Sequence, residues 1–212
     1  MKVFVLSEHG LGTAYELLSG LIVPRPIALV STRDADGRTN LAPFSYFMVG
    51  GINPPSVAFC PVRGREGDKK ETLRNIETTR QYVINLVTPD MVEGMNVTGG
   101  DYPGDADKWA MSGFSPVPSL QVAPARVAES PVQLECELMA VVPHGDGPGS
   151  ADYVIGEVKV AHVREDLVNE NGTFGPVDLL SRLGQRDYLA MGSGTFAMAR
   201  PDISQFLSRD AD

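Results

Sequence analysis

The sequence predicts a mainly β protein, an antiparallel barrel or sandwich, and three observations support this fold class. Apolar, strand-like segments outnumber helical ones along the 212 residues. Asp36-Gly37 is a strong hairpin signal between two of these segments. Strands and helices do not alternate regularly, as they would in a doubly wound sheet. Because the chain is 42% hydrophobic, enough for one large core, we expect residues 1–212 to form a single domain.

The strands are predicted from apolar and β-branched runs that end at turn signals. Pro54 and Pro55 interrupt the chain before the third strand. The glycine-rich segment 143–152 lacks the Gly-Lys-Ser/Thr ending of a P-loop and precedes a strand, so it is predicted to be a hairpin loop. The predicted strands cover about residues 21–32, 38–43, 56–62, 81–88, 133–142 and 153–163.

The helices are predicted from capping and periodicity. Thr13 and Glu16 have capping-box spacing, and Gly20 is placed to end that helix. Leu73 and Ile76 recur at helical spacing, and a proline suits the first turn of the third helix. The predicted helices cover about residues 13–19, 69–80, 89–97 and 201–207. Residues 98–124 are irregular, and a connection of this length is typical of a lid or a binding loop.

Composition and charge exclude several classes of function. The net charge of -9 repels nucleic-acid phosphates, so we expect no nucleic-acid binding. No apolar run approaches the about 20 residues of a membrane span, so we expect no membrane insertion. The first residues lack the features of a secretion signal, which makes the cytoplasm the default location. Cys60 and Cys136 lie in strand-like runs and are expected to be buried, reduced thiols.

Three kinds of reactive site are also disfavoured. His9, His144 and His162 are far apart and have no ligand-like neighbours, so we expect no metal site. The sequence has no GxSxG, which argues against a hydrolase triad. It also has no GxGxxG between a strand and a helix, which argues against a Rossmann dinucleotide site.

The residues that do suggest chemistry are short polar side chains beside a predicted buried sheet. Residues 24–47 concentrate hydroxyl and amide groups that can bind a flat, polar-edged cofactor with a phosphate tail. The helix predicted to begin near Lys69 offers free N–H groups and a positive dipole end. A solvated basic helix start with a capping threonine is the alternative interpretation. The side chains expected to converge on the anion are Arg25, Ser31, Thr32, Ser45, Lys70 and Thr72.

These segments also carry a family resemblance. PRPIALVST at 24–32, NLAPFSYF at 40–47 and KKETLRNI at 69–76 resemble the flavin reductase-like family with an FMN-binding split barrel, in particular its flavoredoxin-type branch. The resemblance covers about residues 13–190. Further matches, in chain order, are Asn85, Asp107-Lys108-Trp109, Gly113-Phe114, Leu134-Glu135-Cys136, residues 155–158, Arg182-Leu183-Gly184 and Tyr188.

The resemblance implies a six-stranded antiparallel Greek-key split barrel with peripheral helices. It also implies a homodimer with FMN near the subunit interface. Ser31 and Thr32 would hydrogen-bond the flavin or its tail, and Lys70 and Thr72 would reach the phosphate. Together with the anion-site argument, it predicts these cofactor-binding residues: Arg25, Ser31, Thr32, Asn40, Ala42, Pro43, Ser45, Tyr46, Lys70, Thr72, Arg182 and Tyr188. No catalytic residue is assigned.

The function that the resemblance implies is hydride or electron transfer from NADH or NADPH through FMN to a flavin, a metal or a protein acceptor. A flavin-using monooxygenase is one such partner. Two alternatives stay open: a non-enzymatic FMN electron carrier or flavin-binding protein, and a relative that acts on a pyridoxamine-type substrate. The chain departs from the family pattern at two places. Glu71 replaces the Asp of Lys-Asp-Thr, and residues 150–153 lack the His of a Gly-Asp-His found in NADH-using members.

Overall fold

The computed structural model describes residues 1–100, 102 and 106–192, and the helix predicted over residues 201–207 lies outside them. The described part of the chain is mainly β structure. Its strands are β1 Arg25–Pro26, β2 Ala28–Arg33, β3 Thr39–Phe44, β4 Phe47–Ile52, β5 Pro55–Phe59, β6 Gln81–Leu86, β7 Pro116–Val117, β8 Arg126–Val127, β9 Val132–His144, β10 Ala151–Val163, β11 Leu180–Leu183 and β12 Asp187–Ala190. Its α-helices are α1 Leu11–Leu21, α2 Glu71–Thr79, α3 Val92–Thr98 and α4 Lys108–Ser112, with 3-10 turns at Leu6–Glu8, Pro89–Met91 and Glu165–Leu167.

The main sheet of the described residues has seven antiparallel strands in the order β3-β2-β6-β9-β10-β5-β4, where six were predicted. The additional strand is β4, which pairs with β5 at the edge of the sheet. Gly50 and Gly51 interrupt its apolar run, and glycine weakens a strand signal. The order of neighbours in this sheet differs from the order in the chain, because β2 pairs with the distant β6 as well as with β3.

The core lies on both faces of the central strands. Along β2, Ala28 and Val30 belong to one apolar cluster, and Leu29 belongs to the other. Side chains alternate between the faces of a strand, so β2 is buried on both sides. Tyr82 of the first cluster is fully buried against Gly156 of β10, where an added Cβ would lie 1.9 Å from the tyrosine Oη. Only glycine allows this close approach of the tyrosine to the strand backbone.

The N-terminal part of the chain differs from the prediction. Helix α1 begins after Gly10 and continues to Leu21, so the predicted capping box at Thr13 and the stop at Gly20 are wrong. The predicted strand over residues 21–32 is split into β1 and β2. Pro24 and Pro26 lack the N–H donors that a continuous central strand needs. As a result β1 leaves the main sheet and pairs with β11, and β11 pairs in turn with β12.

The predicted hairpins are confirmed. β2 and β3 pair through Thr32 and Asn40 around the Asp36-Gly37 turn, in which Gly37 has φ +89°. β9 and β10 pair through His144 and Ala151, as the hairpin-loop prediction required. The segment 98–124 is less irregular than predicted, because it contains α4 and β7.

Two buried carboxylates hold loops against the sheet. Glu135 accepts hydrogen bonds from the backbone N–H groups of Leu120 and Gln121, both at 2.7 Å, and its Oε1 lies 2.6 Å from His162 Nε2. Asp152 accepts two hydrogen bonds from the guanidinium of Arg63, at 3.0 and 3.1 Å.

None of the helices in the described ranges is long and apolar enough to span a bilayer.

Candidate functional site

A cavity of about 530 Å³ opens between α1, the β3–β4 junction, α3 and the β11–β12 hairpin. Small-molecule sites in proteins commonly have volumes of about 300–1,000 Å³. Its wall combines aromatic, basic and small residues. The lining residues are Tyr15, Arg25, Ile27, Pro43, Phe44, Ser45, Tyr46, Cys60, Val62, Lys70, Met95, Asn96, Gly99, Gly100, Arg182 and Tyr188.

The charge of this wall is opposite to that of the whole chain. Arg25, Lys70 and Arg182 line the cavity, and no Asp, Glu or His of the described residues does. The chain nevertheless carries a net charge of -9. A cleft lined by one sign of charge concentrates ligands of the opposite sign. The cavity is therefore suited to an anionic ligand.

Arg25 is held firmly in this wall, with 7% of its surface exposed. Its Nη2 donates to the carbonyl of Gly184 at 2.8 Å, and its Nη1 donates to the carbonyls of Ser19 and Ile22 near the end of α1. Its Nε lies 3.4 Å from the hydroxyl of Ser45, which follows β3. The guanidinium thus joins β1 to three other segments of the chain around one side of the cavity.

Arg182 and Tyr188 face each other across the β11–β12 hairpin. Arg182 donates to the Tyr188 hydroxyl and to the carbonyl of Gln185, and its guanidinium carbon lies 4.6 Å from the centre of the tyrosine ring. Both residues, with Asn96, also line an adjoining cavity of about 310 Å³. The hairpin therefore forms a shared wall between two chambers.

A buried polar cluster lies where β2 and β3 meet the start of α2. Asn40 Nδ2 donates to the hydroxyl of Thr72 at 2.9 Å, and Lys108 Nζ donates to Asn40 Oδ1 at 3.0 Å. The hydroxyl of Thr32 accepts from Asn75 Nδ2 at 3.1 Å. Lys70 immediately precedes α2 and lines the cavity, so it places a positive charge between this cluster and the cavity.

Ten of the twelve predicted site residues fall into two groups. Those on the cavity wall are Arg25, Pro43, Ser45, Tyr46, Lys70, Arg182 and Tyr188. Thr32, Asn40 and Thr72 form the polar cluster instead, and Ala42 lies half-buried in β3 between the two groups. The Ser31 hydroxyl donates to the carbonyl of Ala125. The structure thus brings most of these residues together, and their assignment to a cofactor stays a prediction.

Several wall residues were not predicted from the sequence. Tyr15 comes from α1, and Asn96, Gly99 and Gly100 come from the end of α3 and the residues after it. These segments share no motif with residues 24–47. Lys108 belongs to a segment that matched the family, yet nothing in its local sequence indicated a hydrogen bond to Asn40.

Two titratable groups of the wall, Cys60 and Tyr46, are poorly suited to nucleophilic or acid–base work at neutral pH. Burial raises the pKa of the Cys60 thiol to about 11, so the reactive thiolate is scarce. Burial also raises the pKa of the Tyr46 hydroxyl. The arrangement can bind and orient an anionic, partly aromatic molecule.

Comparison with known proteins identifies the family. Residues 19–178 match the family described as flavin reductase like domain. Nitrilotriacetate monooxygenase component B from Bacillus cereus is 29% identical, with a TM-score of 0.87 over 93% of this chain and 98% of the other. Flavoredoxin from Desulfovibrio vulgaris (Miyazaki F) is 26% identical, with a TM-score of 0.72 over 84% and 92%.

The fold is also shared with a split-barrel protein. A protein with a split barrel domain from Shewanella frigidimarina NCIMB 400 is 22% identical, with a TM-score of 0.81 over 95% of this chain and 100% of the other. At this level of identity the likeness concerns the fold alone. Taken with the match over residues 19–178, it confirms the resemblance seen in the sequence: the chain belongs to the flavin reductase-like family.

Proposed function

We propose that the protein binds FMN in the cavity and acts as an oxidoreductase of the flavin reductase type. The observation that carries this proposal is a cavity of about 530 Å³ whose described wall has three cationic side chains and no carboxylate, in an acidic chain. FMN is an anion with a flat ring, and Tyr15, Tyr46 and Tyr188 supply aromatic surface on the same wall. The donor set, the volume and the charge all fit this cofactor.

The phosphate of FMN would lie at the start of α2. Lys70 supplies a positive charge there, and the first N–H groups of a helix have no partner within the helix. Thr72 and Asn40 supply a hydroxyl and an amide beside it. The ring would lie towards Ser45 and Tyr46, which follow β3 at its other end.

When bound, FMN supplies a ring that accepts and releases a hydride or electrons. The protein has to bind this ring, orient it and exclude water. The walls of the cavity suit these tasks, because β1, β3 and the β11–β12 hairpin are tied together by Arg25. No general acid or base from the protein is required for such a transfer.

We further propose that NADH or NADPH is the hydride donor and that a flavin, a metal or a protein is the acceptor. The similar B. cereus protein is named as a component of a monooxygenase, which supports a flavin-using monooxygenase as a partner. The test is steady-state oxidation of NADH and of NADPH in the presence of excess free flavin. Rapid oxidation of either donor supports the reductase.

The second candidate function is an FMN electron carrier without nicotinamide recognition. It is favoured by residues 150–153, which end in Tyr153 and lack the histidine of the Gly-Asp-His found in NADH-using members of the family. Tyr153 is 40% exposed, and its ring packs edge-on against His144 at 6.0 Å between centroids. Slow oxidation of both nucleotides by a protein that still binds FMN tightly would select the carrier over the reductase.

Replacing Lys70 with alanine is expected to weaken FMN binding by about 1–3 kcal/mol, because a hydrogen bond to a charged phosphate is lost. The measurement is a titration of the apoprotein with FMN, followed by flavin fluorescence. Lys69→Ala is the matched control, since Lys69 lies beside it but binds Glu77 at 2.6 Å and does not line the cavity. Equal affinities of the two variants would remove Lys70 from the phosphate site.

We also propose that two copies of the chain form a homodimer through α1 and β4. Leu21 and Ile52 expose 73% and 84% of their surfaces, and Leu11 and Val49 of the same two elements are also exposed. Large apolar side chains that are left exposed in this number favour an interaction site. Tyr15 of α1 lines the cavity, so one of the two elements also contributes to the proposed FMN site.

The unmodified protein is therefore expected to sediment as a dimer, and Ile52→Asp is expected to sediment as a monomer. A charge in an apolar interface is left without a partner. Leu120→Asp is the control, because Leu120 is also exposed, at 75%, but lies outside α1 and β4. A wild-type protein that stays monomeric at micromolar concentration contradicts the proposal.

A further inference from the structure

We propose that Arg25 compensates the negative charge that FMN gains on two-electron reduction, and that it thereby raises the reduction potential of the bound flavin. This inference rests on the proposed function, because it assumes that FMN occupies the cavity. It goes beyond the proposed function, because it assigns to Arg25 an influence on the reduction potential of the flavin and hence on the direction of electron transfer. Four observations on the described residues carry it: the burial of Arg25, its lack of a carboxylate counter-ion, its contact with Ser45 beyond the end of β3, and the absence of acidic and imidazole groups from the cavity wall.

Among the described residues, Arg25 is a buried cation without a carboxylate counter-ion. Its surface is 7% exposed, and its partners are three backbone carbonyls and one hydroxyl. Within the described part of the chain it forms no ion pair with a carboxylate, although other arginines such as Arg63 and Arg164 do. Burying a charge that is not paired costs free energy. The carbonyls of Ser19 and Ile22 carry the partial negative charge of a helix end. This partial charge offsets only part of the free-energy cost of burying Arg25.

The position of Arg25 places it at the ring rather than at the phosphate. Asn40 marks one end of β3 through its hydrogen bond to Thr72. Ser45, just beyond the other end, contacts Arg25 at 3.4 Å. A strand rises by about 3.3 Å per residue, so these two positions are about 16 Å apart. If Lys70 and Thr72 bind the phosphate, Arg25 faces the opposite end of the cofactor.

Reduction changes the charge at that end. A hydride donor would transfer two electrons and one proton to the bound flavin. The hydrogen would be bonded to N5 of the ring, and N1 would carry no proton. The ring therefore gains one negative charge. In a partly buried site an opposite charge stabilises this state more than it does in water. Arg25 is the arginine of the wall that lies beside Ser45 and Tyr46, with its guanidinium carbon 5.9 Å from the centre of the tyrosine ring.

Among the described wall residues, the cations Arg25, Lys70 and Arg182 are the groups that can compensate this charge near neutral pH. None of the described wall residues is an Asp, Glu or His, and the Cys60 thiol has a pKa of about 11. Lys70 belongs to the phosphate end in the proposed function, and Arg182 is engaged by Tyr188 and Gln185. We therefore expect the reduced flavin to remain an anion in mildly acidic solution, where N1 of free reduced flavin becomes protonated.

The first test uses the unmodified protein. The two-electron potential of bound FMN is measured by reductive titration with dithionite against a reference dye at several pH values between about pH 5 and pH 8. An anionic product takes up one proton, so the potential falls by about 30 mV per pH unit throughout. A slope that steepens to about 59 mV per unit towards pH 5 shows a neutral product and overturns the inference.

The second test compares Arg25→Gln with Arg25→Lys. Loss of the charge in Arg25→Gln is expected to reduce the affinity for reduced FMN at least tenfold more than that for oxidised FMN, which lowers the potential by about 30 mV. Arg25→Lys keeps the charge and should stay closer to the wild-type potential. Arg38→Gln, on an exposed side chain, is the control. A purely structural role would weaken both redox forms equally and leave the potential unchanged, which contradicts the proposal.

A third comparison separates the ring from the phosphate. If Arg25 contacts the phosphate, Arg25→Gln loses the preference for FMN over riboflavin, and this outcome overturns the inference. If Arg25 acts at the ring, the two oxidised ligands lose affinity by the same factor. Failure of the unmodified protein to bind FMN at all would instead reject the proposed function, so the two failures are distinguishable.

Discussion

Glu135→Ala is expected to lower the free energy of unfolding by about 3–5 kcal/mol, the range measured when one partner of a buried charged network is removed. Glu135 is fully buried in β9 and accepts hydrogen bonds from the backbone N–H groups of Leu120, Gln121 and Val122. Its loss leaves these donors and His162 without their acceptor. Urea unfolding of the two proteins at neutral pH measures the difference.

Glu135→Gln is the matched variant, because it keeps the length of the side chain and one acceptor oxygen, while it removes the charge and replaces the other oxygen by an amide NH2. We expect it to lose less stability than Glu135→Ala, since hydrogen bonds to neutral acceptors still contribute about 1 kcal/mol each. A loss below about 1 kcal/mol in Glu135→Ala would show that water replaces the carboxylate without cost. That result would contradict the role of Glu135 as the anchor of the loop at 118–124.

The same carboxylate makes stability depend on pH. Burial raises the pKa of Glu135, but hydrogen bonds from Leu120, Gln121 and His162 outweigh this effect and leave the pKa below its usual value of 4.5. A lowered pKa in the folded state stabilises the protein above the unfolded pKa, and this contribution is lost as pH falls through the folded value. The stability difference between the wild type and Glu135→Gln should therefore shrink below about pH 4.5.

Gly156→Ala is expected to destabilise the protein by about 3 kcal/mol, the upper part of the usual range for overpacking a core. The added Cβ would lie 1.9 Å from Oη and 2.7 Å from Cζ of Tyr82, which is fully buried and has no room to retreat. Adding Tyr82→Phe removes the nearest atom, so the double variant should regain part of the loss. Thermal unfolding of the single and double variants measures this.

Gly64→Ala is the control for Gly156→Ala, because a Cβ at Gly64 meets no atom within 4 Å. It is expected to change stability by less than about 0.5 kcal/mol, as surface substitutions usually do. If Gly156→Ala behaves like Gly64→Ala, the contact between β10 and Tyr82 is looser than the structure shows, and the packing of the first apolar cluster would need revision.

Elements with strong local signals were predicted well from the sequence. Asp36-Gly37 gave the β2–β3 hairpin, and the spacing of Leu73 and Ile76 gave α2, because turn chemistry and helical periodicity depend on neighbouring residues only. The start of α1 and the strand β4 were missed. Gly10 has no side chain that could cap α1 and so mark its start in the sequence. Gly50-Gly51 weakens the strand signal of β4, because this strand is determined by its pairing with β5 and not by local propensity.

The residues of the candidate site also differ in whether the sequence alone indicated them. Residues 24–47 and the start of α2 were recognisable because their polar side chains cluster in the chain, and the structure brings Asn40 and Thr72 into contact. Tyr15 and Asn96 were not recognisable, because only the packing of α1 and α3 brings them to the cavity. Ser31 was predicted from the same motif; its hydroxyl donates to the carbonyl of Ala125, and its role towards a cofactor stays a prediction.

The central claim is that this cavity binds FMN, and titration of the apoprotein with FMN tests it most directly. The visible spectrum and the fluorescence of the flavin should both change and reach saturation at one FMN per chain. The Lys70→Ala variant should require about 5- to 150-fold more FMN, which corresponds to about 1–3 kcal/mol. A protein that leaves the spectrum of excess FMN unchanged, or a Lys70→Ala variant that binds as tightly as the wild type, would contradict the claim.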